Sequence, residues 1–264
     1  MKPIVPLKTR TRYRTLWISD VHLGFRGARA DCLLDFLHSV DADTLYLVGD
    51  IVDIWQLKRK PYWPQQHNDV IRTLLGKAKY GTRVVYVPGN HDELMKAYSG
   101  YQFGNISVAN EVIHTRASGQ RVLIVHGDQF DAAVASAHWL GVLGGWAYAC
   151  LLKTNVAVNL VRRLVGYPHW SLARFLKHKV KNAVKYISRF EAVVTAEAER
   201  CGVDGVICGH IHRAEISRVN NVTYYNCGDW VESCTALVEH RDGRMELLEW
   251  SEQHATTNTL TAAA

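Results

Sequence analysis

Short, wholly apolar runs recur along the chain, and each stops at a polar turn with glycine in or beside it. Leu16–Ile18, Leu45–Val48, Val84–Val87 and Val122–Val125 are runs of this kind. A half-buried strand alternates apolar and polar positions, whereas a run that is apolar throughout marks a strand covered on both faces. Between these runs Asp31–Val40 and His67–Lys79 carry helical spacing. Strand and helix therefore alternate, and the pattern predicts an α/β fold built around buried sheets. Beyond residue 200 strands return at Gly205–Cys208, Glu215–Val219, Val222–Asn226, Thr235–Glu239 and Met245–Trp250. The tail SEQHATTNTLTAAA is small and polar and is expected to fray.

The rhythm breaks between Ala132 and about Arg200, where strand signals are few and helix formers many. We expect one domain over residues 1–264 that includes a helical cap inserted at approximately 132–190, with a helix around Phe190–Cys201 returning to the core. From Asp131 to Arg200 there are 10 Lys and Arg residues against 4 acids, so this segment alone carries +6, the net charge of the whole chain. Its first part is apolar, through Trp139, Leu140, Val142, Leu143, Trp146, Tyr148 and Leu151. A helical hairpin packed on the core with a solvated basic face is the plain explanation; a surface for acyl chains and phosphates is the functional one.

At 264 residues the chain can bury a substantial core, and 48% hydrophobic with 21% charged residues is globular rather than disordered composition. No run reaches the roughly 20 apolar residues that span a bilayer. The longest, Trp139–Leu152, stops at Lys153, and the start MKPIVPLKTRTRYR lacks the apolar core of a secretory signal, so export is not expected. The six cysteines are scattered without a Cys-x-x-Cys pair, which favours free buried thiols over disulfides or a thiolate metal site. A charge of +6 favours phosphorylated ligands, nucleic acid or an anionic membrane without choosing among them.

The turns at the ends of the apolar runs narrow the choice. The first run leads into Asp20-Val21-His22, the second into Gly49-Asp50-Ile51-Val52-Asp53, the third into Pro88-Gly89-Asn90-His91-Asp92 and the fourth into His126-Gly127-Asp128. A fifth, Val206–Cys208, leads into Gly209-His210-Ile211-His212. In open α/β sheets ligands gather just beyond the carboxyl ends of strands, so residues spread over nearly 200 positions converge. In Asp-x-His and His-x-His the outer residues point to one side of an extended segment and can share an ion or neighbouring ions. Carboxylate, amide and imidazole together suit Mn, Fe, Zn or Co. Two ions roughly 3.5–4 Å apart need one bridging carboxylate and clamp both the attacking and the leaving oxygen of a phosphate. A lone Asp-x-His is more often a turn than a site; five such ends in one chain are not.

The series Asp-x-His, Gly-Asp-x-x-Asp, Gly-Asn-His-Asp, His-Gly-Asp, Gly-His-x-His resembles the calcineurin-like metallophosphoesterase superfamily over all but the insertion and the tails. The resemblance implies a four-layer α/β/β/α sandwich with a two-metal site at the sheet edges. It implies that Asp20, His22, Asp50 and His212 hold one divalent ion and that Asp50, Asn90, His126 and His210 hold the other. Manganese is the expected metal, with Fe, Zn or Co as alternatives. His91 would protonate the leaving oxygen and Asp92 would fix its tautomer, while Asp53 would orient ligands rather than bind metal.

The stretches GDIVDIW and NCGDWVESCTALVE, with the chain's length and motif order, look similar to the branch of UDP-2,3-diacylglucosamine pyrophosphohydrolases. That branch implies cleavage of a lipid-linked nucleotide to UMP and a lipid monophosphate. It also implies a cytoplasmic location, peripheral on the inner face of the membrane and against an anionic surface, with the cap over the substrate. Arg162, Arg163, Arg174, Lys177 and Lys181 are then candidates to meet diphosphate or headgroups. One position departs: members of this branch carry Arg where the chain has His91. A soluble phosphatase or phosphodiesterase of a small nucleotide-like substrate is the near alternative. A nucleic-acid phosphodiesterase is the farther one, since the basic residues accompany an apolar stretch and no stacking platform is evident.

Overall fold

The computed structural model describes residues 10–134 and 172–250, with 172–183 and 185 described by their backbone alone. The apolar runs are strands, and they form two sheets. In the first, β1 (Thr11–Ile18), β2 (Val40–Val48), β3 (Arg83–Val87) and β5 (Ile106–Val108) run parallel in that order. β4 (Gln102–Phe103) closes one edge, and β11 (Thr235–Glu239) and β12 (Met245–Glu249) close the other, all antiparallel. The second sheet has the order β6 (Val112–Thr115), β7 (Arg121–Ile124), β8 (Gly205–Cys208), β10 (Val222–Asn226) and β9 (Glu215–Val219), parallel from β7 to β10.

The continuous apolar character of the central strands has a direct cause: each face of the first sheet meets a different core. Leu16, Ile18, Leu45, Leu47 and Val84 join one cluster with Leu33, Phe36 and Leu37 of α1 (Ala30–Ser39) and Val70, Leu74 and Ala78 of α3 (Gln65–Lys79). The alternate residues Trp17, Tyr46, Val48, Val85 and Val87 join a second cluster with Val122, Ile124, Ile207 and Tyr225 from the other sheet. This is a mixed α/β sandwich, as expected. Trp17 is fully buried and stacks on Tyr46 with centroids 5.7 Å apart, so the sheet-to-sheet interior is aromatic at its centre.

The chain divides into two compact units, residues 1–128 with 195–264, and residues 129–194. The second contains the short α4 (Asp131–Val134) and most of α5 (Leu172–Arg200), in which Tyr186 donates to Asp131 Oδ1 at 2.9 Å. α5 begins well before the Phe190–Cys201 helix expected from sequence. Residues 135–171 of the expected cap, with Arg162 and Arg163, lie outside the described residues; Arg174, Lys177 and Lys181 lie on α5 where side chains are not described. Among the described residues no helix is long and apolar enough to cross a membrane. The five described cysteines are free, and all but Cys201 are buried.

Candidate metal centre

Parallel pairing brings the motif-bearing turns together. β1, β2 and β3 end at one edge of the first sheet, and β7 and β8 end at one edge of the second. The turns are then laced through backbone: Asp20 N donates to Gly49 O at 3.1 Å, His22 N to Asp50 O at 2.8 Å and Gly209 N to His126 O at 3.1 Å. Seven non-glycine residues among those described have positive φ, and five of them are Asp20, His22, Asp50, His210 and His212, with φ from 51° to 71°. For L-residues such a conformation costs of order 1–3 kcal/mol, and it persists only where surrounding structure enforces it. Its concentration where the strand ends of the two sheets meet marks a site rather than a set of turns.

Asp50 is the hub. Its Oδ2 lies 3.4 Å from His126 Nε2, 3.8 Å from His22 Nε2 and 4.0 Å from His91 Nε2. A second focus forms where His212 Nε2 stands 3.2 Å from Asp20 Oδ1 and 3.3 Å from His22 Nε2. Three triplets have ligand atoms within 4.8 Å of one another: Asp20, His22 and His212; His22, Asp50 and His91; Asp20, Asp50 and His126. His210 falls in none of these triplets, although its ring lies 5.2 Å from that of His126 and its N–H donates to Asp20 Oδ2 at 3.0 Å.

The rings are aimed by their other nitrogens. His126 Nδ1 lies 3.0 Å from Val48 O, which turns Nε2 toward Asp50. Asp53 holds two rings at once, with Oδ2 3.2 Å from His22 Nδ1 and Oδ1 2.9 Å from His91 Nδ1. Burial would raise the Asp53 pKa, but bonds from His22, His91 and the Gln56 N–H more than offset it and hold the group ionised. Asp92 does not fix the tautomer of His91 as the sequence led us to expect. It is buried, accepts from Gly89 N at 2.6 Å, Ile51 N at 2.8 Å and the Tyr86 hydroxyl, and so secures the turn that carries Asp50. Adjacent residues in a turn point apart, and Asp53, four positions C-terminal to Gly49, has the reach that Asp92 lacks. The sequence carried a signal for this in the second carboxylate of Gly-Asp-x-x-Asp.

The residues present fit a pair of cations. Asp20 Oδ1, Asn90 Oδ1 and His126 Nε2 are buried atoms with no hydrogen bond, and three such atoms gathered at one place fit a site that a ligand completes. Burial opposes charge on the histidines, yet Asp50 raises His126 to about 10 and Asp20 raises His212 to about 9. Burial likewise opposes ionisation of Asp50, yet it is lowered to about 2, with His126 the largest opposing influence. The pocket demands positive charge. Space has been cleared for close approach, since a Cβ at Gly89 would meet Asp50 Oδ1 at 2.3 Å and one at Gly209 would meet Asp20 Oδ2 at 2.3 Å.

Comparison with known proteins agrees with this chemistry. The family model described as calcineurin-like phosphoesterase matches residues 13–214. UDP-2,3-diacylglucosamine hydrolase of Xanthomonas campestris pv. campestris is 28% identical over 247 residues, covering 87% of this chain and 96% of its own length. The enzyme of the same name from Vibrio cholerae is 24% identical over 244 residues, covering 85% and 93%. Among solved structures, a Vps29 protein from Entamoeba histolytica aligns over 90% of this chain and 99% of its own, with a TM-score of 0.43 at 15% identity.

Proposed function

The chain belongs to the calcineurin-like phosphoesterase family and is a metal-dependent hydrolase; from that premise we infer that it cleaves the diphosphate of UDP-2,3-diacylglucosamine, giving UMP and a lipid monophosphate. The observation that carries the chemistry is Asp50 Oδ2 set within 4.0 Å of three imidazole nitrogens, beside buried oxygens that no protein group satisfies. The names of the relatives support the substrate.

Asp20, His22, Asp50 and His212 would hold one divalent cation in this reading, and Asp50, Asn90, His126 and His210 would hold the other, with manganese expected and Fe, Zn or Co as alternatives. Such a pair supplies Lewis acidity and neutralises charge on both the attacking and the leaving oxygen. Asp50 is suited to bridging because its Oδ2 is near His22 on one side and His126 on the other. His91, held through Nδ1 by Asp53 and open at Nε2 toward Asp50, donates the proton that the leaving oxygen needs. The basic residues Arg162, Arg163, Arg174, Lys177 and Lys181 and the apolar stretch before them are assigned to the diphosphate, the acyl chains and an anionic membrane face on the cytoplasmic side.

The test is turnover by the manganese-loaded chain with UDP-2,3-diacylglucosamine, UDP-N-acetylglucosamine, an aryl phosphodiester and single-stranded DNA, using Asp50→Ala as the blank. Fast UMP release from the acylated substrate alone is the expected outcome. Cleavage of the aryl diester without the lipid substrate would keep the hydrolase and discard the lipid assignment. Flotation with anionic and neutral vesicles tests the membrane face, and equal binding to both would remove it.

A further inference from the structure

α2 (Ile54–Arg59) is a six-residue helix in which no residue is fully buried, although Leu57 packs beside Gly24. Hydrogen bonds fix its start. Asp53 caps it by accepting from Gln56 N at 2.8 Å, and Ile54 N donates to His91 O at 3.1 Å. Its second residue, Trp55, leaves 42% of its surface exposed, an unfavourable arrangement for a large ring unless something else uses it. What it touches is His91: the two ring centroids are 4.4 Å apart with planes inclined by 35°. His22 meets the same imidazole edge-on at 4.7 Å.

We propose that Trp55 is a positioning residue for His91, its indole setting the tilt of the imidazole so that Nε2 faces the reacting phosphate beside Asp50. The proposal rests on the reading of His91 as the group that protonates the leaving oxygen. Asp53 Oδ1, 2.9 Å from Nδ1, holds one atom of the ring by charge, but the torsion between Cβ and the ring is broad and leaves the plane free to swing. A flat partner at stacking distance removes that freedom. Asp53 joins the two roles, because the carboxylate that anchors His91 also caps the helix that carries Trp55. Proton transfer depends steeply on this geometry, and a displacement of about 1 Å can cost on the order of 100-fold in rate.

The experiment compares Trp55→Ala, Trp55→Phe, His91→Ala and the Trp55→Ala/His91→Ala double variant on aryl and alkyl phosphodiesters, with metal content measured alongside and His91 ring-proton resonances read in the diamagnetic zinc-loaded form. A poor alkoxide leaving group needs the acid; a nitrophenolate does not. Trp55→Ala is expected to lower kcat about tenfold on the alkyl ester with little change on the aryl ester or in KM. Trp55→Phe should recover most of the loss, and Trp55→Ala should add nothing in the His91→Ala background. Metal content should stay constant while the His91 resonances lose the ring-current shift of the indole. Equal slowing on both esters, a change in KM alone, additivity with His91→Ala, or unmoved resonances would each overturn the proposal. If His91→Ala itself treats both esters alike, the acid role falls, and that failure is separate because it appears with Trp55 intact.

Discussion

Gly89 and Gly209 set the tolerance of the metal centre at the level of single atoms. A Cβ at Gly89 would stand 2.3 Å from Asp50 Oδ1, the oxygen that already accepts from His91 N at 2.8 Å. Gly89→Ala must therefore displace Asp50, and we expect metal affinity to fall on the order of 10–100-fold, as for loss of a group that orients ligands. Gly76→Ala, at a helical position with nothing within 4 Å, is the control and should bind metal as the parent does; metal titration that treats the two alike would refute the steric argument. His91→Ala should keep its metals and lose roughly 10²–10⁴-fold in turnover of an alkyl phosphodiester, and loss of metal would instead make His91 a ligand. The residue types at this site were legible because Asp, Asn and His at the ends of buried strands have no packing purpose. The partner of His91 was not, because adjacency in sequence hid that Asp92 turns into the fold to hold Gly89 and Ile51. Trp55 closes the stretch GDIVDIW that carries the resemblance, but one aromatic residue at the start of a six-residue helix has no periodicity to betray its role.

Among elements, most of those the sequence revealed have a full apolar face or two. β8, β9, β10 and β11 have the boundaries that the pattern predicts. β1 and β2 start earlier than their apolar runs, at Thr11 and Val40, because polar residues interrupt the apolar pattern there: Thr11, Arg12 and Arg14 in β1, Asp41, Asp43 and Thr44 in β2. β4 and β5, of two and three residues, are too short to show a period, and so is α2, of six. α2 depends on Asp53, which ties an element to the site. Asp53→Asn should weaken metal binding about 10–100-fold through loosened His22 and His91 and should also speed amide exchange across Ile54–Arg59. Weakened binding with unchanged exchange would show that the cap does not hold the helix.

At the scale of the molecule, the order of strands was the least legible feature, since nothing in Thr235–Glu239 announces that it returns to lie beside β1. Glu239 explains part of the pairing. It is fully buried in the first sheet and accepts from Arg14 Nη1 at 2.6 Å, Thr15 Oγ1 at 3.0 Å and, across to the second sheet, Ala117 N at 2.7 Å. Burial alone would raise its pKa, but bonds from His114, Ala117 and Arg14 lower it to about 2. A depressed carboxyl stabilises the fold fully above its ordinary value of 4.5 and loses that contribution as pH falls toward 2. Melting curves should thus show Glu239→Gln less stable than the parent at neutral pH, with the gap closing between pH 4.5 and 2; a gap independent of pH would remove Glu239 as the acid-sensitive pin. The distance along the chain between the centre's members has a consequence in time. His22 and His212, whose rings lie 5.2 Å apart, are separated by 190 residues. A ribosome adding about 5–20 residues per second needs roughly 10–40 s to travel from one to the other. Throughout that interval Asp20 and His22 lack the His212 imidazole that completes their surroundings, so completion of the metal centre is among the last events in the making of this protein.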